Sequence, residues 1–216
     1  MKGVCVKRTA AAVLATAALI LVHPRVAAAQ VFHQYPDAAV IKPGEFVTGA
    51  YLAAGDNELF RFGGFARMNA TKYVDVGFEF LLDSADGDGR AGAAGDLKFA
   101  LFPETKAIPF DLSVTTGFGV ISTHDIDIVQ IPLGAIISSP FKLDSGNILV
   151  PYLGVYMLFV DTNDRGLDPD TSDLDVELRG GLRYALTAGP DLFVGLNLGR
   201  DPMVTVGMSF WLKRQG

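Results

Sequence analysis

The chain has 216 residues, half of them hydrophobic, with 19% charged residues and a formal net charge of −6. That length suits one β-barrel or sandwich, or two small domains, and the acidic balance excludes a general attraction to nucleic acid or anionic lipid. Mean hydropathy is +0.31, yet past the N-terminus no apolar run approaches the roughly 18 residues of a membrane helix, so the hydrophobicity is dispersed over alternating positions.

The N-terminus departs from that pattern. Lys2, Lys7 and Arg8 precede the apolar run Ala10 to Val22, and Ala27 and Ala29 offer a small-residue cleavage site before Gln30. This order predicts a secretory signal peptide over residues 1–29. An anchoring helix is the alternative, but His23-Pro24-Arg25 interrupts the run. Removal of the leader takes away Cys5, the only cysteine, and four cations, so the net charge becomes −10. Residues 30–44 contain Pro36 and Pro43 without a clear period, and are expected to form an arm leading into the domain.

From Glu45 to Lys213 the chain reads as one all-β domain. Alternating stretches separated by turn residues predict strands at 45–54, 57–68, 72–82, 95–102, 110–121, 126–138, 148–160, 174–186, 191–199 and 203–212. The expected architecture is an antiparallel up-and-down transmembrane β-barrel of about ten strands, with eight as the alternative count. The longest connections are expected after the third and seventh strands, where "SADGDGRAGAAG" and "TNDRGLDPDTSD" are acidic and Gly-rich. Pro132 and Pro151 fall inside strands and predict a bulge, a late strand start or a break in pairing.

The two faces of each strand differ. Val74, Val76, Phe78, Phe80 and Leu82 oppose Tyr73, Asp75, Gly77 and Glu79, and Leu174, Val176, Leu178, Leu182, Tyr184 and Leu186 oppose Asp175, Glu177, Arg179, Gly181 and Arg183. A soluble barrel would turn the charged face outward, and a membrane barrel would turn it inward. Glycine decides: Gly77, Gly117, Gly119, Gly181, Gly195, Gly199 and Gly207 share the charged face. Exposed mid-strand glycine weakens a strand and packs nothing, whereas in a narrow interior it makes room for long neighbours. The apolar face is therefore assigned to lipid.

The last strand carries Thr205, Gly207, Phe210 and Leu212, in the order polar–x–Gly–x–x–aromatic–x–hydrophobic. This resembles the C-terminal signal of bacterial outer-membrane β-barrel proteins, a porin-like family, although Lys213-Arg214-Gln215-Gly216 follow where the family usually ends on an aromatic. The resemblance implies insertion in the outer membrane of a Gram-negative-type cell, with outer-membrane lipid and lipopolysaccharide as surroundings. It also implies recognition by the barrel-assembly machinery during biogenesis.

On the inward face Arg61, Arg67, Lys98, Arg179 and Arg183 nearly balance Asp75, Glu79, Asp96, Asp111, Asp175 and Glu177. Such a lining is either a cross-linked polar core or an ion-selective wall. Barrels of about eight strands are nearly filled by their own side chains and wide channels need about sixteen, which favours the core and leaves narrow solute passage as the alternative. Asp75, Glu79 and Asp111 are the expected partners of Arg179 and Arg183 across the barrel. Two other readings are weaker. Ser122 and His124 in "ISTHDID" suggest a lipid hydrolase, but neighbours on an extended chain point apart. A secreted soluble barrel binding a small apolar ligand would need its greasy face inside. The acidic stretches from Asp83 and Asp161 miss the calcium-loop pattern at Ala85 and Arg165, and no metal cluster or cofactor motif is present. The expectation is a non-enzymatic barrel without a cofactor.

Overall fold

The computed structural model describes residues 36–56, 59–85, 88–105, 108–122, 126–164, 171–199 and 202–213. The predicted leader, Gln30 and His124 lie outside these residues. Eleven strands follow in chain order: Glu45–Gly55 (β1), Phe60–Thr71 (β2), Val74–Ala85 (β3), Asp88–Phe102 (β4), Asp111–Ser122 (β5), Ile126–Ser138 (β6), Phe141–Lys142 (β7), Ile148–Asp164 (β8), Thr171–Ala185 (β9), Asp191–Leu198 (β10) and Met203–Lys213 (β11). Each pairs antiparallel with its sequence neighbour, except that β6 pairs directly with β8 and two-residue β7 is a spur on β8. Pairing of β1 with β11, from Glu45 opposite Lys213 to Gly55 opposite Met203, closes a ring of ten long strands. The fold is an all-β, up-and-down barrel.

The strands reach into both of the expected long connections. β3 continues to Ala85 and β4 starts at Asp88, while β8 runs to Asp164 and β9 begins at Thr171. Pairing persists because opposed residues still attract beyond the apolar band: Asp83 sits directly opposite Arg90 and bonds to it at 2.7 Å. Glycine and aspartate are poor strand formers only when the neighbouring strand offers nothing in return. The prolines are accommodated by local gaps. Opposite Pro132 and Ile131 the β5–β6 ladder lacks its pairs at Gly117 and Phe118, yet keeps register on both sides. Pro151 lies where the β6 ladder has ended at Ser138 opposite Tyr152, so its missing N–H removes no rung.

The faces are inverted relative to a soluble protein. Phe78 and Leu174 are each 58% exposed, and every second residue of β10 (Leu192, Val194, Leu196, Leu198) points out, whereas Arg61 and Asp75 are fully buried. A continuous Leu/Val/Phe exterior around a charged interior is stable only against hydrocarbon, where a closed ladder keeps the backbone paired. The chain is a transmembrane β-barrel.

The interior is less polar than the charge pattern suggests. Leu81, Ala94, Ile121, Ile128, Ile136, Tyr156, Leu158 and Val160 form one buried apolar cluster, and Tyr51, Ala53, Leu59, Phe193 and Met203 form a second. Phe65 and Phe193 meet across the ring with centroids 6.2 Å apart. Tyr73, expected on the inward face, lies instead in the turn before β3, exposed beside the Lys72 ammonium.

Candidate functional site: the barrel lumen and its terminal mouth

The lumen is organised in tiers along the barrel axis. At the end remote from the chain termini, Asp83 stands between two arginines. Arg61 on β2 and Arg90 on β4 are its direct cross-strand neighbours, at 2.6 and 2.7 Å. The Arg61–Asp83 pair has no exposed side-chain surface, so each charge is compensated only by protein.

In the middle tier, the Tyr51 hydroxyl donates to Glu79, and Arg67 pairs closely with Asp96. On β9, Arg179 bonds to Glu177 through Nε at 2.9 Å and Nη2 at 2.7 Å. Its guanidinium lies 4.2 Å from the ring centroid of Tyr156. Asn197 of β10 donates to the same Glu177 carboxylate at 3.3 Å. The void between Tyr152, Tyr156, Arg179, Asn197 and Thr205 has room for about one water.

Inward glycines give this tier its close packing. Tyr51 sits opposite Gly63, Tyr152 opposite Gly181, Tyr156 opposite Gly134 and Phe193 opposite Gly207, each ring lying where a Cβ would be. Gly77 instead makes room for the Arg67–Asp96 pair. Rings laid over cross-strand glycines protect the backbone and pin register.

The third tier lies at the mouth beside the chain termini, and it contains the arm. Residues 36–41 turn back into the lumen. Asp37 accepts from Arg183 at 2.7 Å and lies 3.7 Å from Lys98 Nζ. Arg183 also binds Asp191 at 2.6 Å, and Trp211 Nε1 donates to that carboxylate at 2.7 Å. Lys98 lies 3.6 Å from Asp75 and donates to the Ala39 carbonyl. Asp75 in turn accepts the Ile41 N–H at 3.0 and 2.9 Å.

The expected charge residues are therefore distributed over all three tiers. Arg61 is at the far end, Glu79, Arg67, Glu177 and Arg179 are in the middle, and Asp75, Lys98 and Arg183 are at the mouth. Asp111 is half-buried at the mouth and accepts the Glu104 N–H at 2.7 Å, holding the turn before β5. Asp175 is half-buried on β9, opposite Leu158. Of the two β9 arginines, Arg179 binds Glu177 on its own strand, and Arg183 binds Asp191 and Asp37. Residues two apart on a strand share a face and reach each other easily, whereas the centre of the barrel is occupied by aromatic rings.

Asp37, Asp83 and Asp191 are the lumen carboxylates that sequence reasoning missed. Extending the alternation from Asp75 and Glu79 by two steps reaches Asp83, and the same rule on β10 reaches Asp191. Nothing in the sequence signals Asp37. In β11, Thr205 is buried in the lumen, Gly207 underlies Phe193, and Phe210 and Leu212 face outward opposite Thr48 and Phe46.

No family model matches the sequence, and no curated protein does. Among solved structures, the β domain of the Bordetella autotransporter BrkA is 13% identical over 79% of this chain and 98% of its own, with a TM-score of 0.46. An outer membrane channel from Pseudomonas putida F1 is likewise 13% identical, over 84% of this chain and 100% of its own, at a TM-score of 0.46. The KdgM porin is 8% identical over 76% of this chain and 98% of its own, at 0.40.

Proposed function

We propose that this chain is an integral outer-membrane barrel with a sealed lumen, a structural element of the membrane and not a conduit or an enzyme. The observation that carries this reading is the filling of the interior at every tier. Ion pairs, ring-over-glycine contacts and two apolar clusters occupy the space in which a pore would run. An open pore keeps its charged groups solvated, whereas Arg61, Asp75 and Glu177 are at most 1% exposed. Both termini of a barrel with an even strand count lie at one end, and a chain delivered from the periplasm leaves that end there. The arm then closes the periplasmic mouth.

The competing readings lack this support. Ser122 is exposed at the end of β5, and His124, its partner in that reading, lies outside the described residues. A soluble carrier of apolar ligands has its greasy face inside, the reverse of the arrangement here. Planar-bilayer recording of the purified protein tests the proposal: membranes with inserted barrel should hold the baseline current. Large, steady single-channel steps would refute it.

A further inference from the structure

The arm is held in an unusual way for a segment beside a sheet. Its described residues add no rung to the ladder, and their backbone is received by side chains. The Ala38 N–H donates to Ser138 Oγ at 2.9 Å, and Ser113 Oγ donates to the Ala38 carbonyl at 2.6 Å. The Ala39 carbonyl is taken by Lys98, and the Ile41 N–H by Asp75. The Asp37 carboxylate completes the set between Arg183 and Lys98. These five receiving side chains come from β3, β4, β5, β6 and β9, so the recess exists because the ring is closed.

The same recess selects side chains. Ala38 is fully buried within the apolar cluster, which leaves no space for a larger group, and the two cations specify a carboxylate at the position before it. The connection to the barrel is separate from the recess. Lys42, Pro43 and Gly44 are exposed, the Glu45 N–H closes a turn onto the Lys42 carbonyl at 3.0 Å, and Gly44 has a φ of 81°. β1 is paired on both sides without any help from the arm. The arm can therefore leave without breaking a strand pair.

We propose that the terminal mouth is a peptide-binding site for an extended segment with an acidic residue followed by a small one, and that the arm occupies it as a tethered, autoinhibitory ligand. Its partner class is an acidic–small peptide segment of another protein, competing with residues 37–41 for Arg183, Lys98, Ser113, Ser138 and Asp75. The proposal stands apart from the sealed-lumen reading, because peptide binding at the mouth and current through the barrel are measured separately.

The test uses the full chain with a protease recognition sequence inserted between Pro43 and Gly44, folded in detergent and then cut. A fluorescent peptide of residues 36–42, capped at both ends, should exchange into the cut barrel saturably. It should not bind the uncut protein, whose site is filled. The same peptide with Asp37→Ala should compete about thirtyfold less well or worse, the loss expected when one partner of a buried, hydrogen-bonded charge pair is removed. An Ala38→Leu peptide should not compete. A cut barrel that remains heat-modifiable yet takes up no peptide overturns the proposal, as does equal competition by the Asp37→Ala peptide. Should cutting unfold the barrel, the uncut chain carrying Ala38→Leu serves instead. Displacement of its own arm must open the site to the labelled wild-type peptide, and failure to bind there overturns the proposal equally.

Discussion

At the scale of single residues, the lumen is governed by space and by charge compensation, and neighbouring positions respond in opposite ways. Gly181 and Gly180 are adjacent on β9 but point to different faces. A Cβ at Gly181 would lie 2.1 Å from the Val194 carbonyl oxygen and 2.6 Å from the Tyr152 hydroxyl, whereas one at Gly180 meets nothing nearer than 3.4 Å. Gly181→Ala should therefore destabilise the barrel by about 1–3 kcal/mol, the usual cost of overpacking, and Gly180→Ala should be tolerated. Urea titrations followed by heat-modifiability on gels compare the two, and equal midpoints would contradict the assigned faces. The arginines flanking Asp83 offer a similar contrast. Arg61→Ala leaves Asp83 partly uncompensated in a dry site and should cost about 3–5 kcal/mol. Arg90, at the wetter edge with 10% of its side chain exposed, should cost clearly less when replaced by alanine. The same titration ranks them, and a larger loss at Arg90 would mean that water reaches the Arg61 tier.

At the scale of the strand, two-residue periodicity assigns each side chain to lipid or lumen, and both faces can be tested on one element. Val194, midway along β10, is 42% exposed on the outer surface. Val194→Arg should cost about 2–4 kcal/mol in folding into lipid vesicles, the penalty for a cation near the bilayer midplane. A neutral outcome would place that face away from hydrocarbon. On β11, Phe210 and Leu212 are exposed beside β1, the strand that closes the ring. Replacing both by Asp should leave the protein degraded or in the periplasm, because it removes two outward apolar groups and puts charge on the seam where the ring closes. Membrane fractionation reads this out, and a normal heat-modifiable barrel in the outer membrane would count against a role for these residues in assembly.

At the scale of the whole molecule, ring closure turns alternation into an inside and an outside. The strands, their order and their lipid face were legible in the sequence because period-two alternation and turn residues are local: Asp75 and Glu79, or Leu192 and Val194, declare their sides without reference to any distant segment. Strand ends were legible only where chemistry changed abruptly. β4 and β9 run further than expected because pairs such as Asp83 with Arg90 keep the ladder going beyond the apolar band. The alternation of charges along a strand was also readable, but the contacts that tie them to the arm were not. The contacts of Ala38 with Ser138, of Phe65 with Phe193 and of Arg183 with Asp37 join residues far apart in the chain, and they exist only once the ring has closed. For the same reason the arm read as a plain connector. Residues 36–42 have no period and no pairing pattern of their own, and their place is set by side chains from five separate strands. The sequence by itself determined which way each strand residue points, since that follows from backbone geometry over a few residues. Only the tertiary structure decided what fills the lumen and what stops its mouth, because those contacts depend on the diameter and register of the closed barrel.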